Sequence, residues 1–257
     1  EVPVTAERPV AASSEYIIPD KDILLQPQGR PGMLLRLAPG ILTVEHSGGA
    51  GKADQYFLRG FDADHGTDIA VFRDGMPVNM RSHAHGQGYA DLNFIIPETI
   101  KEIQVYKGPY HVQYGDFNTG GAVDFATREA VKEGIIQAAG GQFDTQRYLT
   151  MFSPTTGRVR TLVAAEGYLT NGPFDNPNRY NRFNVLAKLT ANPTSRSEIS
   201  LTATYNQSRW NASGQIPVYA VRAGLVDRFG SFDPTEGGRT NRATGMLRYH
   251  YDTSASG

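Results

Sequence analysis

The chain has 257 residues, 39% of them hydrophobic, which is enough to fold around a core; its 25 basic and 26 acidic side chains leave a formal charge of −1, so no basic field exists to hold nucleic acid. Cysteine is absent, which removes disulfide frameworks and thiolate metal sites from consideration. No run reaches the roughly eighteen apolar residues of a membrane-spanning helix, and no charged-then-apolar leader stands at the start, so a processed N-terminus is expected; a membrane β-barrel stays open, because its strands alternate and their mean hydropathy is ordinary.

Residues 1–23, beginning "EVPVTAERPVAASSEY", are polar and punctuated by proline, and are expected to form an extended, unburied arm. Residues 24–132 read as a small α+β domain. "RPGMLLRLAPG" predicts a short helix ended by Pro39 and Gly40, and "ILTVEH", "QYFLRGF", "DIAVFRDG", "IKEIQVYKG" and "GAVDFATR" predict short strands. Gly75 and Gly108 suit tight turns, and Gly120 with Gly121 allows close backbone approach. Arg59, Lys107 and Arg128 are charges within β-rich text, each in need of a carboxylate or carbonyl.

Residues 133–257 change to longer segments with strict alternation. Phe183, Val185, Ala187, Leu189 and Ala191 share one face, against Arg182, Asn184, Lys188 and Thr190 on the other. Ile199, Leu201, Ala203 and Tyr205 oppose Ser200, Thr202, Thr204 and Asn206; Leu247, Tyr249 and Tyr251 oppose Arg242, Thr244 and Arg248; Val159, Val163 and Leu169 oppose Arg158, Arg160 and Glu166. Two earlier strands, near Ile135 and Tyr148, alternate poorly. A soluble sandwich alternates too. The connections, "FDT" apart, run short and long by turns, as in an outer-membrane barrel.

"NMRSHAHGQGYADLNF", residues 79–94, places His83 and His85 one residue apart among small and polar neighbours. The pair could hydrogen-bond its own scaffold, contact a ligand, or join a carboxylate in holding zinc or copper. A His-dependent hydrolase or metal enzyme has no other support, because no H-E-x-x-H, G-x-S-x-G, phosphate loop or carboxylate cluster accompanies it.

Two long stretches, "QYFLRGFDADHGTDIAVFRDGMPVN" and "IPETIKEIQVYKGPYHVQYGDFNTGGAVDFATR", resemble the plug domain of TonB-dependent outer-membrane receptors. The matching features are the turn at Arg59-Gly60, the Asp74-Gly75 hairpin, the Lys107-Gly108-Pro109 turn, the Tyr114-Gly115 step and the Gly120-Gly121 pair. The resemblance implies an α+β plug domain followed by antiparallel transmembrane β-barrel strands. Receptors of this family close about 22 strands, whereas this text offers about six, so the chain is expected to be the N-terminal portion of a longer receptor.

The same resemblance implies a function. "VPVTAE" is similar to the TonB box, so Val2, Pro3, Val4, Thr5 and Ala6 are expected to contact the TonB–ExbB–ExbD energy-coupling complex. The activity implied is energised import of a scarce solute across the outer membrane of a Gram-negative bacterium, without bond-making chemistry and without a cofactor. Ferric siderophores are the family's default solute; free metal ions, corrinoids, oligosaccharides and other cofactors are the alternatives, and a passive barrel or adhesin is a further one. In the family, plug arginines pair with barrel acids; Lys107 stands where arginine is commoner and cannot make the same fork. The histidine loop is expected on the extracellular side, next to the loop carrying Asp64 and His65. Candidate ligand contacts are therefore Asp64, His65, Arg81, His83, His85 and Gln87, with His83 and His85 as possible metal ligands.

Overall fold

A computed structural model describes residues 14–46, 48–154, 157 and 159–253. In the first half, β1 (Ser14–Pro19) leads into α1 (Asp20–Leu24) and a 3-10 helix (Pro31–Leu37), followed by β2 (Ile41–Val44), β3 (Gln55–Leu58), β4 (Phe61–Asp62), β5 (Ile69–Arg73), β6 (Met76–Pro77), β7 (Ile100–Lys107) and β8 (Gly121–Thr127). One sheet has the order β1-β7-β8-β5-β6 and a smaller one the order β2-β3-β4. At the centre, β5 and β8 run parallel. Ile69, Ala70 and Val71 are buried there with Ala122, Val123 and Phe125, as expected of a strand pair covered on both faces.

Two hairpins follow their dipeptides. Leu58 pairs with Phe61, leaving Arg59 and Gly60 as the loop, and Arg73 pairs with Met76, leaving Asp74 and Gly75. All four have positive φ, between 51° and 84°, which is the conformation that matches the twist of the flanking strands.

Residues 14–23, expected to lie in the unburied arm, are instead part of the plug. Ser14 to Pro19 is a paired strand whose partners on β7 run from Lys107 to Glu102. Ile18 and Ile23 are fully buried in the plug core, which with the ladder to β7 seats the segment on the plug.

In the second half, β9 (Ile135–Gly141), β10 (Thr145–Phe152), β11 (Val159–Thr170), β12 (Tyr180–Thr194), β13 (Ser197–Asn211) and β14 (Gly237–Tyr251) form one sheet in sequence order; α2 (Val218–Arg222) lies in the connection before β14. Every neighbouring pair is antiparallel. The loops 171–179 and 212–236 project from one end, and the short link 195–196 from the other.

This wall is inside-out. On the face toward the plug, Arg182, Asn184, Lys188, Thr190, Ser200, Thr202 and Asn206 are buried, whereas Phe183, Leu189, Leu201, Tyr205 and Leu247 are exposed on the other. Leu162 and Leu186 break the polar pattern of the inner face, because they pack on Ile96 with Leu149 and Met151.

Charges join the two halves. Arg147 of β10 donates to both oxygens of Glu98, at 2.7 and 2.8 Å, and through Nε to Glu166 at 2.7 Å. Arg182 reaches the same Glu166 at 3.1 and 3.2 Å, and Asn184 donates to it at 2.9 Å. Lys188 donates to Thr127 Oγ1 at 3.0 Å and lies 3.7 Å from Asp74. Glu166 is a wall acid paired within the wall, but across the junction the wall supplies the cations Arg147 and Lys188 and the plug the acids Glu98 and Asp74, the reverse of the expected arrangement. Lys107 instead donates to the carbonyl of Pro39, and Arg128 pairs with Asp20 at 2.8 Å, so both act within the plug.

Candidate functional site: a histidine cluster between plug and wall

Asn79 organises the loops that carry the candidate residues. Its Oδ1 accepts from the Val71 N–H at 2.7 Å, and its Nδ2 donates to the carbonyls of Gly66, Ile69 and Gly88, each at 2.9 Å. One side chain therefore ties β5, the segment after β4 and the loop after β6 into a single unit. Met80 and Tyr89 then pinch the intervening loop shut, with the Met80 N–H donating to the Tyr89 carbonyl at 2.9 Å.

His83 and His85 lie on that closed loop. The His83 ring stacks on Tyr89, with centroids 4.2 Å apart and an interplanar angle of 11°, and its Nδ1 accepts from the His85 N–H at 3.2 Å. Tyr89 is itself fixed, because its hydroxyl accepts from the Ala53 N–H at 3.0 Å.

His65 is almost wholly buried, and its Nδ1 lies 3.2 Å from the carbonyl of Asp54. A carbonyl can only accept, so Nδ1 carries the proton and Nε2 presents a lone pair. That Nε2 lies 3.4 Å from Asp64 Oδ1. Asp64 adopts a φ of 43°, a left-handed conformation that residues other than glycine seldom take. The rings of His85 and His46 approach His65 edge-on, with centroids at 4.4 and 4.9 Å. Burial lowers the pKa of His65, with Asp64 opposing; burial and then the Lys52 ammonium lower that of His46. Both act to keep imidazoles neutral, as lone-pair donors.

The cluster opens into a cavity of about 620 Å³, lined from the plug by His65, His83, His85 and Tyr89 and from the wall by Trp210 and Arg242, among others. Gly51 permits the close fit beside it, since a Cβ there would come within 2.1 Å of the Trp210 ring.

Asp64, His65, His83 and His85 are thus brought together. Arg81 is not: it is exposed, 4.0 Å from Asp116. Gln87 is exposed and outside the cavity lining. Val2 to Ala6 lie outside the described residues. His46 escapes sequence reasoning altogether, because it ends an ordinary β-run and only the tertiary fold delivers it to His65.

A plug packed on the polar inner face of an antiparallel wall, with an apolar outer face, defines a plug-and-barrel protein. Residues 8–122 match the model of the TonB-dependent receptor plug domain, so the first half of the chain is similar to that plug. The vitamin B12 transporter BtuB of Vibrio vulnificus (strain CMCP6) is 29% identical over 145 residues, covering 55% of this chain and 22% of that protein. The ferrienterobactin receptor of Escherichia coli (strain K12) is 28% identical over 142 residues, 51% of this chain and 18% of that receptor. The aligned stretches span only about a fifth of the length of these relatives. Among solved structures, the unliganded ferric citrate transporter FecA superposes with a TM-score of 0.79 at 18% identity, over 95% of this chain and 38% of that one. The copper transporter OprC superposes at 0.69 and 18% identity, over 94% and 34%. At such identities these structures share the fold.

Proposed function

We propose that this chain forms the plug and the opening part of the wall of an energised importer in the outer membrane of a Gram-negative bacterium. The observation that carries the reading is the inverted wall: Lys188 and Thr202 are buried against the plug while Leu201 and Leu247 face outward. Such a sheet suits lipid on one side and a polar, movable domain on the other. In this reading a solute binds at the histidine cluster, which lies toward the long-loop, extracellular end beside Trp210 and Asn211. A pull by the TonB–ExbB–ExbD complex on Val2 to Ala6 then rearranges the plug. Binding of the arm would proceed by strand addition, with Pro3 facing away from the partner because it has no N–H to donate. No bond in the solute is broken, so the protein is a transporter and not an enzyme.

Deletion of residues 1–7 tests this. Growth under iron, zinc or cobalamin limitation should depend on the intact arm, while the purified deletion variant folds normally. Growth that survives the deletion under the limitation the gene relieves would remove the energised-import reading.

A further inference from the structure

Asp64, His65 and His85 each place one ligand atom within 4.8 Å of the other two. His65 supplies the second, independent observation. It is 3% exposed, and its Nε2 has no hydrogen-bond partner among the described residues, while Nδ1 is committed to the Asp54 carbonyl. A buried imidazole anchored through one nitrogen with the other left bare is the arrangement of a metal-ligating histidine, whose tautomer is fixed by the hydrogen bond behind it. With metal–ligand bonds of about 2.1 Å, a tetrahedral site has ligand atoms about 3.4 Å apart. Asp64 and His65 already stand at 3.4 Å. His85 lies on an exposed loop and needs a closure of roughly an ångström to meet the same edge length. His46, edge-on to His65, adds a fourth side chain to the group.

The donor set selects the ion. Imidazole nitrogens with one carboxylate oxygen suit zinc or copper(II). Calcium or magnesium would want six or more oxygens, or several retained waters. A ferric chelate arrives with its iron already enclosed, and would meet this cavity through the chelator's surface.

We propose that Asp64, His65 and His85, with His46 beside them, bind one divalent transition-metal ion of the zinc or copper kind, and that this ion, bare or weakly chelated, is the solute the receptor captures. The second half of the statement rests on the import reading above. His83 is not a ligand in this assignment: it stacks on Tyr89 and holds the His85 backbone in place.

The test uses the intact receptor purified in detergent, with zinc chloride alone as the probe, read by calorimetry and by metal content after desalting. The unmodified protein should retain about one equivalent. His85→Ala should weaken binding by at least about tenfold, the loss that even outer partners of metal ligands cause, whereas Arg81→Ala, on the same loop but exposed and outside the cavity lining, should hold a full equivalent. Cobalt(II) provides a second readout, since a low-coordinate nitrogen and oxygen site gives visible absorption bands that His85→Ala should abolish. His65→Gln is informative wherever the plug remains folded, and His85 is exposed, so its removal leaves the fold intact. Absence of a retained equivalent, or equal loss in Arg81→Ala and His85→Ala, overturns the site. Arm-dependent growth without any zinc equivalent overturns the site and leaves the importer standing. A zinc equivalent in a receptor whose uptake ignores the arm deletion keeps the site and removes its role in transport.

Discussion

Arg147 of the wall holds Glu98 of the plug in a two-point fork, and both side chains are 7% exposed. A buried ion pair adds little net stability over apolar residues of the same volume, but removing one partner strands a charge. Arg147→Ala should therefore destabilise the seated plug by about 3–5 kcal/mol. The double change Arg147→Met, Glu98→Leu should cost much less. Thermal release of the plug, followed by protease sensitivity, gives both values, and additive losses would mean that the fork carries no coupling.

Leu247 and Met246 are adjacent on β14 and face opposite ways. Leu247 is exposed on the outer face, while Met246 borders a groove with Asp74, Asp124 and Glu129. Leu247→Arg should cost up to about 4 kcal/mol in a bilayer, decreasing toward the rim. Met246→Arg, on the inner face beside a groove lined by charges of both signs, should cost far less. Refolding titrations in lipid vesicles provide the comparison; equal penalties would mean that the outer face does not meet lipid. Thr202 is a poorer inner control, since it is fully buried against the plug.

Gly51→Val should force the plug loop off the wall, because even its Cβ would fall 2.1 Å from Trp210. Overpacking of this kind costs about 1–3 kcal/mol. Trp210→Leu in the same protein should recover part of the loss, which melting temperatures of the two variants would report. A double variant no more stable than Gly51→Val alone would place the strain elsewhere.

Asn79→Ala leaves the Val71 N–H and three carbonyls without the side chain that joins them, at about 1–3 kcal/mol for each buried group left unmatched. The plug core should persist, since Ile69, Val71 and Phe125 do not depend on Asn79. Hydrogen exchange should quicken over residues 80–90 and stay slow over β7. Uniform loss of protection would make Asn79 a core element instead of a loop clasp.

The wall was readable in the sequence from β11 onward, because residues such as Lys188 and Leu189 meet two different surroundings and their side chains record it. β9 carries Ala138, Ala139, Gly140 and Gly141, which suit either surrounding and leave no alternation to read. The plug hairpins were equally plain, since Arg59-Gly60 and Asp74-Gly75 impose their own loop geometry. The direction of the charge lock was not, because Arg147 and Glu98 are 49 residues apart and nothing local marks either as the other's partner. At the site, the H-x-H pair drew attention to His83, yet the ring deepest in the cluster is His65 and the neighbour delivered by folding is His46. Local spacing identifies which side chains share a loop; convergence of separate loops is a property of packing.

β1 is an edge strand, and the chain ahead of Ser14 continues directly into it. Tension on that leading segment must therefore pass through the β1–β7 ladder before it can deform anything else. Drawn along the strand axis, the ladder is loaded in shear and its bonds share the force; drawn sideways, it peels from Ser14 and Lys107 one pair at a time. Beyond the ladder stand the Ile18 anchor and the Asp20–Arg128 pair, so the direction of the pull decides whether the strand alone yields or the load reaches the junction with the wall.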